Sequence, residues 1–295
     1  GLAPFDRHAG GAAVDILLVP GACGWRTSQT SCRESASSSK QMKISVLTVA
    51  WNSAATIRHT LDSFLAQDHA EKELIVVDGA STDGTADIVH GYRDDAITLV
   101  SEPDEGMYDA LNKGLTLYKG DGVGVLNSDD TYHDSCALSR IAKALEQADI
   151  VHGHLNFVMD HGSKTVTRRW RATAHTVKGF RTGWMPAHPT FYVRREVVEA
   201  VGPFDLSLKT ASDYEWMLRA VEMHGFSTAV VDAVLIDMMQ GGKSTVSLRS
   251  HLAHNLEALR ARRKWLGAGM ADYALFAKPT RKLRQLIRLK RPEAR

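Results

Sequence analysis

Apolar and polar positions alternate most regularly between residues 42 and 126. Lys43 to Ala50 carries Ile44, Val46, Leu47 and Val49 and predicts a strand over 43–50. Ile57, Leu61, Phe64 and Leu65 return at helical spacing and predict a helix over 54–67. Leu74-Ile75-Val76-Val77 is apolar at every position, as expected of a strand buried on both faces of a parallel sheet. A helix over 84–93, a strand over 96–101, a helix over 107–119 and a strand over 123–126 continue the alternation. This βα order predicts an α/β fold with an open, mostly parallel sheet and ligands at the carboxyl ends of its strands.

The second half is less regular. His152 to Trp170 predicts a hairpin turning at Asp160-His161-Gly162, and Thr190 to Val193 a further strand. A helix over 213–224 turns Trp216, Met217, Ala220 and Val221 inward. Residues 227–237 read as strand and 246–265 as a long polar helix.

Composition narrows the field. With 295 residues the chain suits one large α/β domain or two small ones. A net charge of +2 gives no bulk attraction for nucleic acid, so no nucleic-acid partner is expected. Cys23, Cys32 and Cys136 form no CxxC pair and read as reduced thiols, which points to the cytoplasm. No apolar run approaches the ~20 residues that span a bilayer. Residues 1–41, rich in Gly, Ala and Ser, read as a disordered extension ahead of Met42. At the other end, residues 278–295 hold eight basic side chains against the single acid Glu293, with Leu283, Leu286 and Ile287 between them. Such a basic amphipathic segment is expected to rest on an anionic membrane surface, at the inner face of the plasma membrane.

Candidate chemistry sits where carboxylates follow apolar strands. Asp78 follows Ile75-Val76-Val77, and Asp129 and Asp130 follow Val123 to Leu126. In a parallel sheet these ends share one rim, and acids there repel one another unless a cation lies among them. Mg²⁺ or Mn²⁺ suits, taking one or two carboxylates and filling its other positions with diphosphate oxygens and water. Asp213 opens the predicted 213–224 helix, where the helix dipole favours its charged form. Asp78 and the Asp129-Asp130 pair are each explained equally well, taken alone, by turn and capping chemistry, and Asp213 taken alone is better explained as a helix-capping acid.

Taken in order, Val49-Ala50-Trp51-Asn52, Val77-Asp78-Gly79-Ala80-Ser81-Thr82-Asp83-Gly84-Thr85, Leu126-Asn127-Ser128-Asp129-Asp130 and Ser212-Asp213-Tyr214-Glu215 resemble the family 2 inverting glycosyltransferases. The likeness is to the bacterial branch that builds cell-surface polysaccharides and glycolipids. Ser101 to Gly114, His188 to Arg195, Gly202-Pro203-Phe204-Asp205 and Gly241-Gly242-Lys243-Ser244 extend it over Met42 to Ser247. The resemblance implies a GT-A fold, Rossmann-like, with a mostly parallel central sheet flanked by helices and a smaller mixed acceptor-side region. It divides 42–265 into a nucleotide-sugar half, 42–133, and an acceptor half, 134–265, followed by the tail 266–295.

By position, the resemblance implies that Val49 and Trp51 line the nucleoside pocket and Asp78 accepts from the nucleobase. It implies that Asp129 approaches the ribose, that Asp130 binds the divalent metal, and that Asp213 is the general base. His188 is placed on the acceptor side, and Lys243 near phosphate. The family's first acid is Asn127 here, and an arginine common in relatives is Leu111. The implied activity moves a sugar from a nucleotide-diphosphate donor, a UDP-sugar by preference, to a hydroxyl of a carbohydrate or lipid-linked acceptor. The rival is a catalytically inactive nucleotide-sugar-binding protein with a regulatory or scaffold role. A nucleotide-binding dehydrogenase is disfavoured because no GxGxxG follows strand 43–50.

Overall fold

A computed structural model describes residues 41–162, 165–176, 179–240 and 248–267. The N-terminal extension, the Gly241-Gly242-Lys243-Ser244 segment and the basic 278–295 segment lie outside the described residues.

The regular half forms as its pattern predicts. Strand β1 (Ile44–Ala50) leads to helix α1 (Ile57–Leu65), β2 (Lys72–Asp78), α2 (Thr85–His90), β3 (Ile97–Ser101), α3 (Met107–Leu117) and β4 (Gly122–Val125). Strand β1 runs parallel to both β2 and β4, and β2 runs parallel to β3. All four strands therefore end at one rim.

The second half adds β5 (Thr131–Tyr132), α4 (Ala137–Leu145), β6 (Ile150–Val158), β7 (Val166–Trp170), β8 (Tyr192–Arg194), α5 (Arg195–Val201), α6 (Ser212–Leu218), β9 (Thr228–Met239) and α7 (Leu248–Leu266). One continuous sheet results, in the order β3-β2-β1-β4-β8-β6-β9-β5, with β7 paired to β6. Short β8 is antiparallel to both β4 and β6, so β6 again runs in the direction of β4. Strand β9 is parallel to β6 and antiparallel to β5.

Five elements depart from the sequence reading. Helices α4 and α5 and strand β5 have no counterpart among the predicted elements; α5 and β5 span only seven and two residues, too few to show a period of their own. The predicted 190–193 strand begins instead as a 3₁₀ turn, His188–Thr190, and its pairing starts at Tyr192. The 213–224 helix is α only to Leu218 and then widens into a π turn over Arg219–Met223.

Two apolar layers clasp the sheet. Ile44, Val46, Leu74 and Val76 face α1, α2 and α4, whereas Leu47, Ile75, Val77 and Val125 face α3, α5, α6 and α7. Alternation along each strand divides the two layers. Gly124 has no side chain because the Tyr192 ring occupies that space: a Cβ there would lie 2.3 Å from it.

Candidate functional site at the carboxyl rim

The three loops that leave β1, β2 and β4 at the rim are tied to one another. The Asn52 amide donates to Ser81 Oγ at 2.7 Å, and Thr82 N–H donates back to Asn52 Oδ1 at 3.0 Å. Ser53 and Ser128 share a hydroxyl–hydroxyl hydrogen bond of 2.9 Å, which joins the β1 loop to the β4 loop. Asn52 and Ala80 hold positive φ, 49° and 58°. Strained backbone of this kind persists where surrounding contacts over-determine it, commonly at functional sites.

Asp78, fully buried, is the fastener. Its carboxylate accepts from Ser81 N–H at 3.0 Å, from Ser101 Oγ at 2.6 Å and from Ser81 Oγ. The ends of β2 and β3 and the loop between β2 and α2 are therefore locked around one charge. Trp51, directly after β1, stands 57 % exposed, and Val49 packs half-buried against the core on the α3 side of the sheet.

The two consecutive acids after β4 have different surroundings. Asp130 is fully enclosed: Oδ2 accepts from Asn127 Nδ2 at 2.8 Å and Oδ1 from Met239 N–H at 3.2 Å. Its backbone carbonyl takes the Thr60 hydroxyl of α1 at 2.8 Å. Burial, then the neighbouring Asp129 charge, push its carboxyl well above the usual range. Asn127, which stands where the family's first acid is expected, is thus the donor that satisfies Asp130. Asp129 is only half-buried, and burial raises its pKa as well. Among the described residues no neighbouring side chain donates a hydrogen bond to the Asp129 carboxylate. No group of three or more His, Cys, Asp or Glu forms a metal cage among the described residues.

Asp213 reaches the rim from the other face of the sheet. Tyr108, in the first turn of α3, donates its hydroxyl to Asp213 Oδ1 at 3.0 Å. The phenol is buried and stacked on Phe204, with ring centroids 5.9 Å apart. Burial, and after it the Asp213 charge, lift the Tyr108 pKa far above its ordinary value, so the hydroxyl stays a donor. Asp213, His188, Phe204, Trp216 and Val125 share the lining of a small cavity under the end of β4. The His188 ring stands edge-on to Phe204 at 6.5 Å, with Nε2 enclosed and unpartnered. Burial depresses the His188 pKa, partly opposed by Asp213.

The loop into α6 is held from α7. Glu257 accepts the backbone N–H groups of Lys209, Thr210 and Ala211 at 3.2, 2.8 and 3.0 Å. Trp265 donates to the buried Glu215 at 2.6 Å, and Arg262 to Tyr214 Oη at 3.0 Å. Asn112 and Phe204 exchange two hydrogen bonds, 2.8 and 3.1 Å, which seat the Gly202-Pro203-Phe204-Asp205 loop under α3. Leu111 is a core residue with no exposure.

The expected site residues thus meet at one rim but not on one face. Asp78 and Asp130 lie on the α1 side, Asp213 and His188 on the α3–α6 side, with Trp51 and Asp129 at the edge. Sequence reasoning gave no role to Tyr108 or Glu257. Tyr108 carried a signal, its place after Gly106 at a predicted helix start, but its partner lies in a distant segment.

The model of the family described as Glycosyl transferase family 2 matches residues 45–202. A PGL/p-HBAD biosynthesis glycosyltransferase of Mycobacterium bovis is 26% identical over 204 residues, which cover 67% of this chain and 77% of that protein. An uncharacterised glycosyltransferase of a Nostoc species is 28% identical over 176 residues, 56% of this chain and 54% of its own. Among solved structures, S. aureus TarS 1-349 in complex with UDP superposes with a TM-score of 0.59 at 23% identity, covering 79% of this chain and 68% of that one. The mannosyltransferase PcManGT from Pyrobaculum calidifontis, in complex with GDP-Man and Mn²⁺, gives 0.58 at 22% identity over 81% of this chain and 69% of that one. At these identities the superpositions establish the fold, a curled, mostly parallel sheet flanked by helices.

Proposed function

The chain belongs to glycosyl transferase family 2, and on that premise we propose that it transfers a sugar, with inversion, from a nucleotide-diphosphate donor to an acceptor hydroxyl. The observation that carries this reading is the division of the rim, with Trp51 and Asp129 at the edge and a Tyr108-held Asp213 arriving from the opposite face. In-line displacement needs its base and its leaving group on opposite sides of the anomeric carbon.

Trp51 and Val49 offer the nucleoside an exposed aromatic face and an apolar floor. Base–aromatic stacking of this kind is worth about 1–3 kcal/mol. Asp78 contributes by holding the Ser81 loop in shape, since its oxygens are engaged within the protein. We assign the divalent cation, Mg²⁺ or Mn²⁺, to Asp129 rather than Asp130. A half-buried carboxylate without a neighbouring donor fits a cation that completes its shell with diphosphate and water. Asp130 has neither a free oxygen nor solvent contact. When bound, the cation would neutralise charge on the departing diphosphate.

Asp213 then takes the acceptor hydroxyl proton as the new C–O bond forms at the anomeric carbon and the bond to the diphosphate oxygen breaks. A transition state of oxocarbenium character is expected, as in other glycosyl transfers. A carboxylate is a weak base for an alcohol, so proton transfer runs late, after the leaving-group bond has largely opened. A UDP-sugar is the favoured donor, and a cell-surface polysaccharide or glycolipid the favoured product. TarS with UDP and PcManGT with GDP-Man and Mn²⁺ are consistent with a nucleotide-sugar and metal requirement of this kind. Among the described residues no helix is long and apolar enough to cross a membrane. A lipid-linked acceptor would be met at the membrane surface through the basic 278–295 segment, whose eight Lys and Arg side chains suit an anionic surface.

The test is a turnover assay of UDP-, GDP- and dTDP-sugars with Mn²⁺. Asp213→Asn should lower transfer by roughly 10²–10⁴-fold while donor binding persists. Asp129→Ala should remove the Mn²⁺-dependent part of donor affinity and leave the unfolding midpoint in place. Asp130→Ala should instead lower that midpoint, because Asn127 Nδ2 and Met239 N–H lose their acceptor at about 1–3 kcal/mol each. The reverse pattern for the two acids would return the metal to Asp130. An inert wild type that still binds donor would favour the scaffold reading.

A further inference from the structure

Strands β6, β7 and β9 carry a second polar recess, separate from the residues assigned roles above. It is a cavity of about 200 Å³ lined by His154, Asn156, Arg169, Arg171, Asp232 and Val234. His154 and Asn156 project from the same face of β6 as Ile150, the face covered by α6. Asn156 and Arg169 are direct cross-strand partners between β6 and β7. Arg171, two positions beyond Arg169, points the same way, while Arg168 turns to the opposite face and stacks on Phe157 at 3.7 Å.

The polar groups of this recess are arranged for a visitor. Asn156 is 1 % exposed, and its Nδ2 donates to Asp237 Oδ1 at 3.0 Å. A carboxylate needs a donor, so this bond fixes the amide orientation and leaves Oδ1 as the remaining polar atom of a side chain that lines the recess. That buried Oδ1 has no partner. A buried acceptor without a donor destabilises the fold, and a ligand hydroxyl would satisfy it. Arg169 and Arg171 are exposed and, among the described residues, neither pairs with a carboxylate. The one acid of the lining, Asp232, is held aside: Ala172 N–H donates to His154 Nδ1 at 3.1 Å, which leaves Nε2–H to donate to Asp232 at 3.0 Å.

The recess also lies close to the rim. Asp237, bonded to Asn156, is the cross-strand partner of Thr131, the residue after Asp130. From β5 across β9 to β6 is two strand spacings, about 10 Å.

We propose that this recess is an acceptor subsite for an anionic saccharide unit, with Arg169 and Arg171 binding its phosphate or carboxylate and Asn156 Oδ1 accepting a ring hydroxyl. The assignment to an acceptor rests on the transferase reading above; the binding chemistry does not. Bidentate guanidinium pairing selects planar or tetrahedral oxyanions, whereas a neutral sugar leaves both arginines unanswered.

Binding is measured directly, without donor or turnover, by ligand-observed NMR and calorimetry on the full chain. The probes are methyl β-glucuronide for the carboxylate, glucose 6-phosphate for the phosphate, and methyl β-glucoside as the neutral control. At least one acidic probe should bind more tightly than the neutral one, and the stronger of the two identifies the anion. Arg169→Ala with Arg171→Ala should weaken that probe by about tenfold or more. Arg169→Lys with Arg171→Lys should restore part of the loss, and the unfolding midpoint should stay put in both pairs. Equal binding of acidic and neutral probes, or undiminished binding in the double alanine variant, overturns the proposal. Selective acid binding in a chain that turns over no nucleotide-sugar would keep the recess and overturn the transferase reading instead.

Discussion

Removal of one oxygen, in Tyr108→Phe, isolates the contact that aims the proposed base. The ring is 6 % exposed and stacked on Phe204, and phenylalanine keeps both features. What disappears is the hydroxyl that donates to Asp213 Oδ1 at 3.0 Å. Hydrogen bonds to a charged group contribute about 1.5–3 kcal/mol. If that contribution holds the carboxylate in its reactive orientation, the loss at about 1.4 kcal/mol per decade corresponds to roughly 10–100-fold in rate. Asp213→Asn should cost more, roughly 10²–10⁴-fold, because the base itself is gone. Tyr108 acts only through Asp213, so the double variant should be no slower than Asp213→Asn alone. The assay is initial-rate transfer with saturating donor, with donor affinity measured separately by calorimetry. A fall in kcat at unchanged donor affinity, with no additivity in the double variant, is expected. Full additivity, or wild-type turnover in Tyr108→Phe, would show that the contact serves packing and that Asp213 is not aimed by it.

Two further outcomes follow from buried groups. His152 is held by burial, with a smaller contribution from neighbouring histidines, at a pKa of about 4 against 6.5 in the unfolded chain. Below 6.5 the unfolded state therefore binds more protons, so the stability tied to a neutral His152 is complete above that pH and drains away towards about 4. His152→Phe should flatten urea-unfolding stability across that window, and an unchanged pH slope would refute the assignment. Gly124→Ala should lower the unfolding midpoint by several degrees, because its Cβ would meet the Tyr192 ring at 2.3 Å. That ring is tethered through its hydroxyl to Tyr132 at 2.6 Å, so overpacking should cost about 1–3 kcal/mol, and an unshifted midpoint would mean the ring yields freely.

What the chain's pattern determined is local. Runs such as Leu74-Ile75-Val76-Val77 and the spacing of Ile57, Leu61 and Phe64 carry their own period, so β1 to β4 and α1 to α3 were legible one element at a time. A parallel sheet then obliges Asp78 and Asp129 to share a rim, whatever the loops do. Tertiary structure decided the rest, because burial and partnership belong to pairs of segments far apart in sequence. Asp129 and Asp130 are adjacent and chemically identical, yet Met239 and Asn127 enclose one and leave the other at the edge. Helix α7 reads as polar, but Glu257, Arg262 and Trp265 spend that polarity on α6 and the loop before it. No periodicity encodes such contacts, since each depends on where two distant backbones come to lie.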